Sequence, residues 1–238
     1  MADAPSLPRR FYKRATVTDT AQGPGVALDE RALRTPGGLV FVAPTRALAE
    51  LCAKEWEGQG AHIVPASMPI SQFAFAALDW TPKSRDEITQ YISSFGETDL
   101  CCYRAENPAE LVRRQEQIWT PLVQWGEQAL GVKLPIVPGV IAARVDPQTL
   151  AALRAQAAAL DDFRLTALWQ AAGLAGSALI AFALVRGRLT PQQAFEASAL
   201  DNLWSLEKWG EDTEARARLN QQRAEFDALG RFIAALGK

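Results

Sequence analysis

The sequence predicts an α+β fold: a small N-terminal antiparallel β-sheet domain with helices, followed by an all-helical C-terminal domain. Three observations carry this expectation. Residues 15–42 hold short alternating or apolar runs between Gly- and Pro-rich turns, the pattern of a strand meander. From Ser84 onward, capping residues divide the chain into one helical segment after another. The 238 residues, 48% apolar and 22% charged, suffice for one large core or two modest ones.

The elements follow in order. Ala15 to Thr20 alternates as a strand, Gly23-Pro24-Gly25 turns, and Val26 to Leu28 is a second apolar run. Thr35 to Gly38 turns again before a further strand at Leu39–Val42. Leu48, Leu51, Cys52 and Trp56 recur near a 3.6-residue period, which predicts a helix over 45–57. His62–Val64 reads as a returning strand, and 71–80 as an apolar helix. Ser84 and Glu87 form a capping-box pattern. Asn107-Pro108, Asp146-Pro147 and Thr190-Pro191 each set a capping residue before a proline at the first helical position. The helices expected from these signals are 84–95, 108–130, 147–160, 162–186, 191–209 and 211–236. Residues 131–138 read as a long loop or short strand. The α+β domain is assigned to 1–95 and the helical domain to 96–238.

Charge and composition exclude several functions. A formal net charge of −2 gives no field for nucleic acid. The single histidine, His62, excludes a multi-histidine metal site, leaves little for histidine-relayed catalysis, and reads as a surface or loosely packed side chain. Cys52, Cys101 and Cys102 form no disulfide framework and no C-x-x-C pair, so a reducing compartment and structural thiols are expected. Residues 165–185 carry no charge over a span long enough to cross a bilayer. Arg164 and Arg186 close it, and Thr166, Gln170, Gly173, Gly176 and Ser177 interrupt it, so a buried helix of a soluble protein is expected. Arg9-Arg10 lacks the apolar stretch of an export signal.

No phosphate-binding loop, dinucleotide fingerprint or G-x-S-x-G elbow occurs. The acidic pairs Asp161-Asp162 and Glu211-Asp212 fall at helix starts, where the dipole favours negative charge. Cysteine chemistry at Cys101 or Cys102, activated by Arg104, defines a rival reading as a small enzyme. It predicts a thiol that alkylates well below pH 8.

Tryptophan is the unusual residue, with seven in the chain. On a helix through 191–209, Asp201, Trp204 and Lys208 share one face. Phe195, Ala199, Leu203 and Leu206 make a separate apolar face for the core. A tryptophan between a carboxylate and an ammonium suits a protein-binding face. It suits equally a half-buried tryptophan beside an ordinary surface ion pair.

A set of strings in fixed order then carries a resemblance. They are Arg10 to Arg14, Leu33 to Gly37, Pro44-Thr45, Leu48 to Glu50, Glu55 to Glu57, Met68 to Ala74 and Leu78-Asp79. Thr98 to Arg104, Leu111 to Gln115, Trp119 and Trp204 to Gly210 complete it. Over residues 10–215 the chain resembles the ATP synthase F1 assembly factor family, the chaperones of the F1 α subunit. The resemblance implies the same two-domain fold and no enzymatic activity. It implies binding of the free α subunit and shielding of its β-facing surface until the α/β hexamer forms. Orphan subunits of obligate complexes expose large apolar patches, which gives such shielding its physical sense.

The resemblance also assigns residues. Asp201 matches an acidic position held important in the family, and with Trp204, Lys208 and Trp209 it forms the expected partner-binding set. Trp56, Asp99, Tyr103, Arg104 and Gly210 belong to the motif strings as structural positions, Trp56 in the core. No cofactor, metal, nucleic-acid partner or membrane insertion is expected. The free protein is expected to be a monomer in the bacterial cytoplasm, with eukaryotic relatives in the mitochondrial matrix. A general holdase for unfolded clients remains an alternative reading.

Overall fold

The computed structural model describes residues 7–139, 141, 143–210 and 212–237. It divides into two compact units. One holds the described residues up to Lys83 together with those from Arg231 on, and the other holds Ser84–Gly230. The fold class is α+β, as the sequence predicts.

The first unit begins with β1 (Ala15–Thr20), β2 (Gly23–Leu28) and β3 (Arg31–Ala32), an antiparallel sheet in the order β1-β2-β3. Ala15 pairs with Leu28 and Thr20 with Gly23. The turn into β3 places Asp29 at φ 53°, and its carboxylate accepts the backbone N–H groups of Lys13 and Arg14. The strand expected at Leu39–Val42 makes only isolated bridges, Gly25 with Val42 and Arg34 with Val40. Pro24 offers the Ala43 N–H its carbonyl at 2.8 Å but has no N–H to return. Gly25 allows the approach itself, since a Cβ there would lie 2.9 Å from the Phe41 carbonyl oxygen. The expected strand at His62–Val64 likewise reduces to one bridge, Arg9 with His62.

The helix α1 (Arg46–Glu57) is capped by the Thr45 hydroxyl, which accepts the Leu48 N–H. Its buried stripe of Leu48, Ala49, Cys52, Ala53 and Trp56 packs on the sheet. The Glu55 carboxylate accepts the Ile70 and Ser71 N–H groups at the start of α2 (Pro69–Asp79), so one helix caps the next.

The second unit begins within α3 (Thr81–Ser94). Its expected cap, Ser84, lies at φ −119°, ψ 19°, a kink inside the helix rather than its start. The sequence sets the domain boundary at 95, whereas the contacts set it at 83. The Arg85 guanidinium explains the difference, because it donates to the Ala158 and Leu160 carbonyls and pairs with Asp162, all in the second unit. At the other end, Phe232 packs edge-on to Phe73 at 5.5 Å, which assigns the C-terminal residues to the first unit.

Next come β4 (Tyr103–Arg104) and α4 (Ala109–Leu130), then β5 (Val137–Pro138), parallel to β4. The helix α4 starts at Ala109 because Pro108 itself keeps an extended ψ of 159°. The helix α5 (Pro147–Ala158) starts from the predicted Asp146 cap. The uncharged stretch is not one helix but two, α6 (Asp162–Ala175) and α7 (Ala178–Val185). Gly176, at φ 64°, ends the first, and the Ser177 hydroxyl caps the second by accepting the Ile180 N–H. Every residue from Ala178 to Leu184 is buried, against α6, α4 and α8 (Pro191–Ser198). Among the described residues no helix is long and apolar enough to cross a membrane. The expected helix 191–209 also divides, giving α8 with its predicted Thr190–Gln193 capping box and α9 (Leu200–Trp209). The last helix, α10, spans Thr213–Ala235; Glu211, expected at its start, lies outside the described residues.

Candidate functional site

The helix α9 carries the whole predicted binding set. Asp201 stands in its first turn and Lys208 in its last, each at the end where the helix dipole favours its charge. Gly210 ends it at φ 93°. Its contacts with α4 run in opposite order along the two helices. The Trp119 indole N–H donates to the Ala197 carbonyl at 2.8 Å, just before α9. The Gln115 amide nitrogen donates to the Asp201 carboxylate at 2.8 Å. Arg114 pairs with Glu207, and Lys208 with Glu110 at 2.7 Å. Arg114 also meets Glu110 at 3.0 Å. The Lys208 hydrogen bond holds the Glu110 carboxyl below its usual range, and the Glu207 contact raises the Arg114 guanidinium.

The four predicted binding residues differ in how much of each α9 leaves to solvent. Asp201 and Lys208 are both engaged by α4. Trp204 is buried, 6% exposed, and its indole N–H finds no hydrogen-bond partner among the described residues. Trp209 stands edge-on to it at 5.4 Å and is 77% exposed. Conversely, Leu203 and Leu206, assigned to the core, are only half-buried. The cause is the break at Ser198–Ala199. A continuous helix through Phe195 fixes the phase of Leu203, and two helices do not. Leu200, Leu203, Leu206 and Ile118 instead line an open groove of roughly 540 Å³ bordered by Arg114 and Glu207.

The motif residues hold the frame beneath. Asp99 is wholly buried, and its carboxylate accepts the Ser177 hydroxyl at 2.7 Å, the Leu179 N–H at 3.1 Å and the Cys101 N–H at 3.0 Å. It therefore fixes the start of α7 and the short turn 100–102 together. Burial pushes its pKa up, against the pull of those hydrogen bonds. The Tyr103 hydroxyl donates to the Glu97 carbonyl at 3.1 Å. Arg104 lies 5.2 Å from the Trp119 ring centroid and donates to the Cys101 carbonyl. Trp56 is buried in the first unit between Tyr12 and Phe75.

The thiols lack the environment of nucleophiles. Burial pushes Cys52 and Cys102 up to about 12 and Cys101 well above its ordinary value. No described His, Cys, Asp or Glu cluster could hold a metal. Three residues of α4 that engage α9, Glu110, Arg114 and Gln115, lie outside the set that the sequence predicts. Gln115 did leave a signal: it is a polar side chain on the stripe Leu111, Gln115, Trp119, Leu122 that α4 buries.

The model of the ATP12 chaperone protein matches residues 9–127, half of the chain. The structure superposes on the crystal structure of Atp12 from Paracoccus denitrificans with a TM-score of 0.89, at 37% identity, covering 96% of this chain and 98% of that one. The chain belongs to the ATP12 chaperone family. An Agrobacterium tumefaciens protein gives the same TM-score at 36% identity, over 97% of this chain and 87% of that one. The mitochondrial protein atp12 of Schizosaccharomyces pombe is 26% identical over 215 residues, which is 85% of this chain and 74% of that protein.

As a member of the ATP12 family, the protein is a chaperone of ATP synthase assembly. The family model reaches only to α4, so it spans Trp56, Asp99 and Arg104 and stops short of α9. The ATP12 likeness of the α9 set rests on the structural matches, which run nearly end to end.

Proposed function

We propose that this chaperone binds the free α subunit of F1-ATPase, shields its β-facing surface, and yields it when β competes for the same surface. The observation that carries the proposal is Trp209. A tryptophan 77% exposed, at the end of a helix held by ion pairs and a buried amide, is a rigid aromatic anchor with a polar surround. Lys208 precedes that anchor in the last turn of the same helix, and the groove lined by Leu200, Leu203 and Leu206 offers apolar area for an apolar client surface. The chaperone works as a monomer in the cytoplasm, without cofactor or catalytic step. Release by competition needs no chemistry from this chain.

The test is co-purification of the tagged protein with α and β subunits supplied separately. Roughly equimolar retention of α alone, reversed by added β, is expected. Retention of α and β alike, or of unrelated unfolded proteins, is the behaviour of a general holdase and overturns the proposal.

A further inference from the structure

Gln115 is 2% exposed, and both ends of its side chain are used. Its carbonyl oxygen accepts the backbone N–H of Ala105 at 2.7 Å, and its amide nitrogen donates to Asp201 at 2.8 Å. This orientation is the one that chemistry permits. The Ala105 N–H can only donate and so must face the amide oxygen, which leaves the nitrogen for a carboxylate that can only accept. The packing of α4 gives no reason for a polar group here, since its neighbours on the stripe are Leu111, Trp119 and Leu122. The group is explained by what it joins: the backbone after β4 on one side and the first turn of α9 on the other.

We propose that Gln115 is a positioning residue for client binding. Through Asp201 it fixes the phase at which α9 lies on α4, and thereby the direction in which Trp209 leaves the surface. The inference rests on the client reading above, and buried Gln115 itself is out of a client's reach. The ion pairs along α9 among the described residues, Lys208–Glu110 and Arg114–Glu207, are exposed and hold a helix weakly in water, and the buried apolar side chains Leu200 and Trp204 give contact without hydrogen-bond direction. The Gln115 amide is sheltered and directional, so it sets the register that those pairs follow. Asp201 then acts through geometry rather than by offering its charge to the client.

Exchanging donor and acceptor separates these roles. Asp201→Asn keeps an acceptor oxygen for Gln115 but removes the charge. Gln115→Glu keeps the acceptor for Ala105 but sets carboxylate against carboxylate. The double variant rebuilds the bond in reverse, with the amide at 201 donating and the charge moved to the buried position. Two readouts apply to all four chains: amide hydrogen exchange of 200–209 in the free protein, and capture of F1 α. Gln115→Glu is expected to speed exchange in α9 and weaken capture at least about tenfold. The double variant is expected to return both to within about twofold of wild type, and Asp201→Asn to stay close to wild type.

Unchanged α9 exchange in Gln115→Glu overturns the proposal. So does loss of capture in both chains lacking the charge at 201 while their α9 exchange is normal, because the carboxylate then meets the client itself. A wild-type chain that retains no α subunit sinks the client reading instead, and the exchange data still decide whether Gln115 positions α9.

Discussion

Trp204 is 6% exposed and Trp209 77% exposed, although they lie five residues apart on α9 with their rings in edge contact. Replacing them should therefore separate folding from binding. Trp204→Ala empties a buried site and should cost about 3–5 kcal/mol of stability. Trp209→Ala removes a solvated ring, so urea unfolding should shift by less than about 0.5 kcal/mol, while client affinity falls by about 2 kcal/mol or more, roughly thirtyfold. Urea titration and capture of F1 α, run on both variants, check the pair. Equal capture by Trp209→Ala and wild type would remove the anchor from the site. At this scale the sequence was informative about neighbours and silent about direction. It placed Asp201, Trp204 and Lys208 together on α9. Which of them faced α4 depended on Gln115 and Glu110, 86 and 98 positions away in the chain.

Most element boundaries were written in local chemistry. Thr45, Asp146, Asp161 and Thr190 each cap a helix through a side-chain oxygen, as such residues do wherever they precede a helical run. The two missed breaks differ in kind. Gly176-Ser177 is a left-handed stop followed by a cap, a signal present in the sequence and overridden by the length of the uncharged stretch. Ser198–Ala199 contains neither glycine nor proline. There the Ala197 carbonyl receives the Trp119 indole from 78 positions away, a contact no local pattern announces.

Asp161 gives the caps a pH signature. Desolvation raises its pKa, but the Arg164 and Phe163 N–H groups and the Arg164 charge outweigh it, and the net shift is downward. A carboxyl with a lowered folded-state pKa contributes stability above its unfolded pKa and loses it as pH falls through the folded value. Asp161→Ala should therefore cost about 1 kcal/mol at neutral pH, with the two chains converging as the medium is acidified below the carboxylate range. Unfolding free energies measured across that range check the trend. A difference that stays constant into acid would mean that the cap's charge contributes nothing.

At the scale of the whole molecule, the last residues of α10 belong with the first unit, a fact that amphipathic periodicity could not reveal. Ala215, Leu219, Phe226, Leu229, Ile233 and Leu236 recur on one face of the helix that the sequence predicts over 211–236, and a face says nothing of what will cover it. In the fold, Phe232 is wholly buried against Phe73, and the Thr45 hydroxyl donates to the Ala235 carbonyl. The N-terminal unit is thus completed by the C-terminal end of the chain. The three free thiols are built-in reporters of this arrangement. Cys52 is buried in the first unit and Cys101 and Cys102 in the second, and with pKa values raised by burial they label only when their surroundings open. Phe232→Ala should cost the first unit at least about 3 kcal/mol, equivalent to roughly a hundredfold more frequent opening. Cys52 alkylation should accelerate by that order, with Cys101 and Cys102 changing far less. Equal acceleration at all three thiols would mean that the two units open as one cooperative body, and that the C-terminal residues stabilise the whole chain rather than the unit they touch.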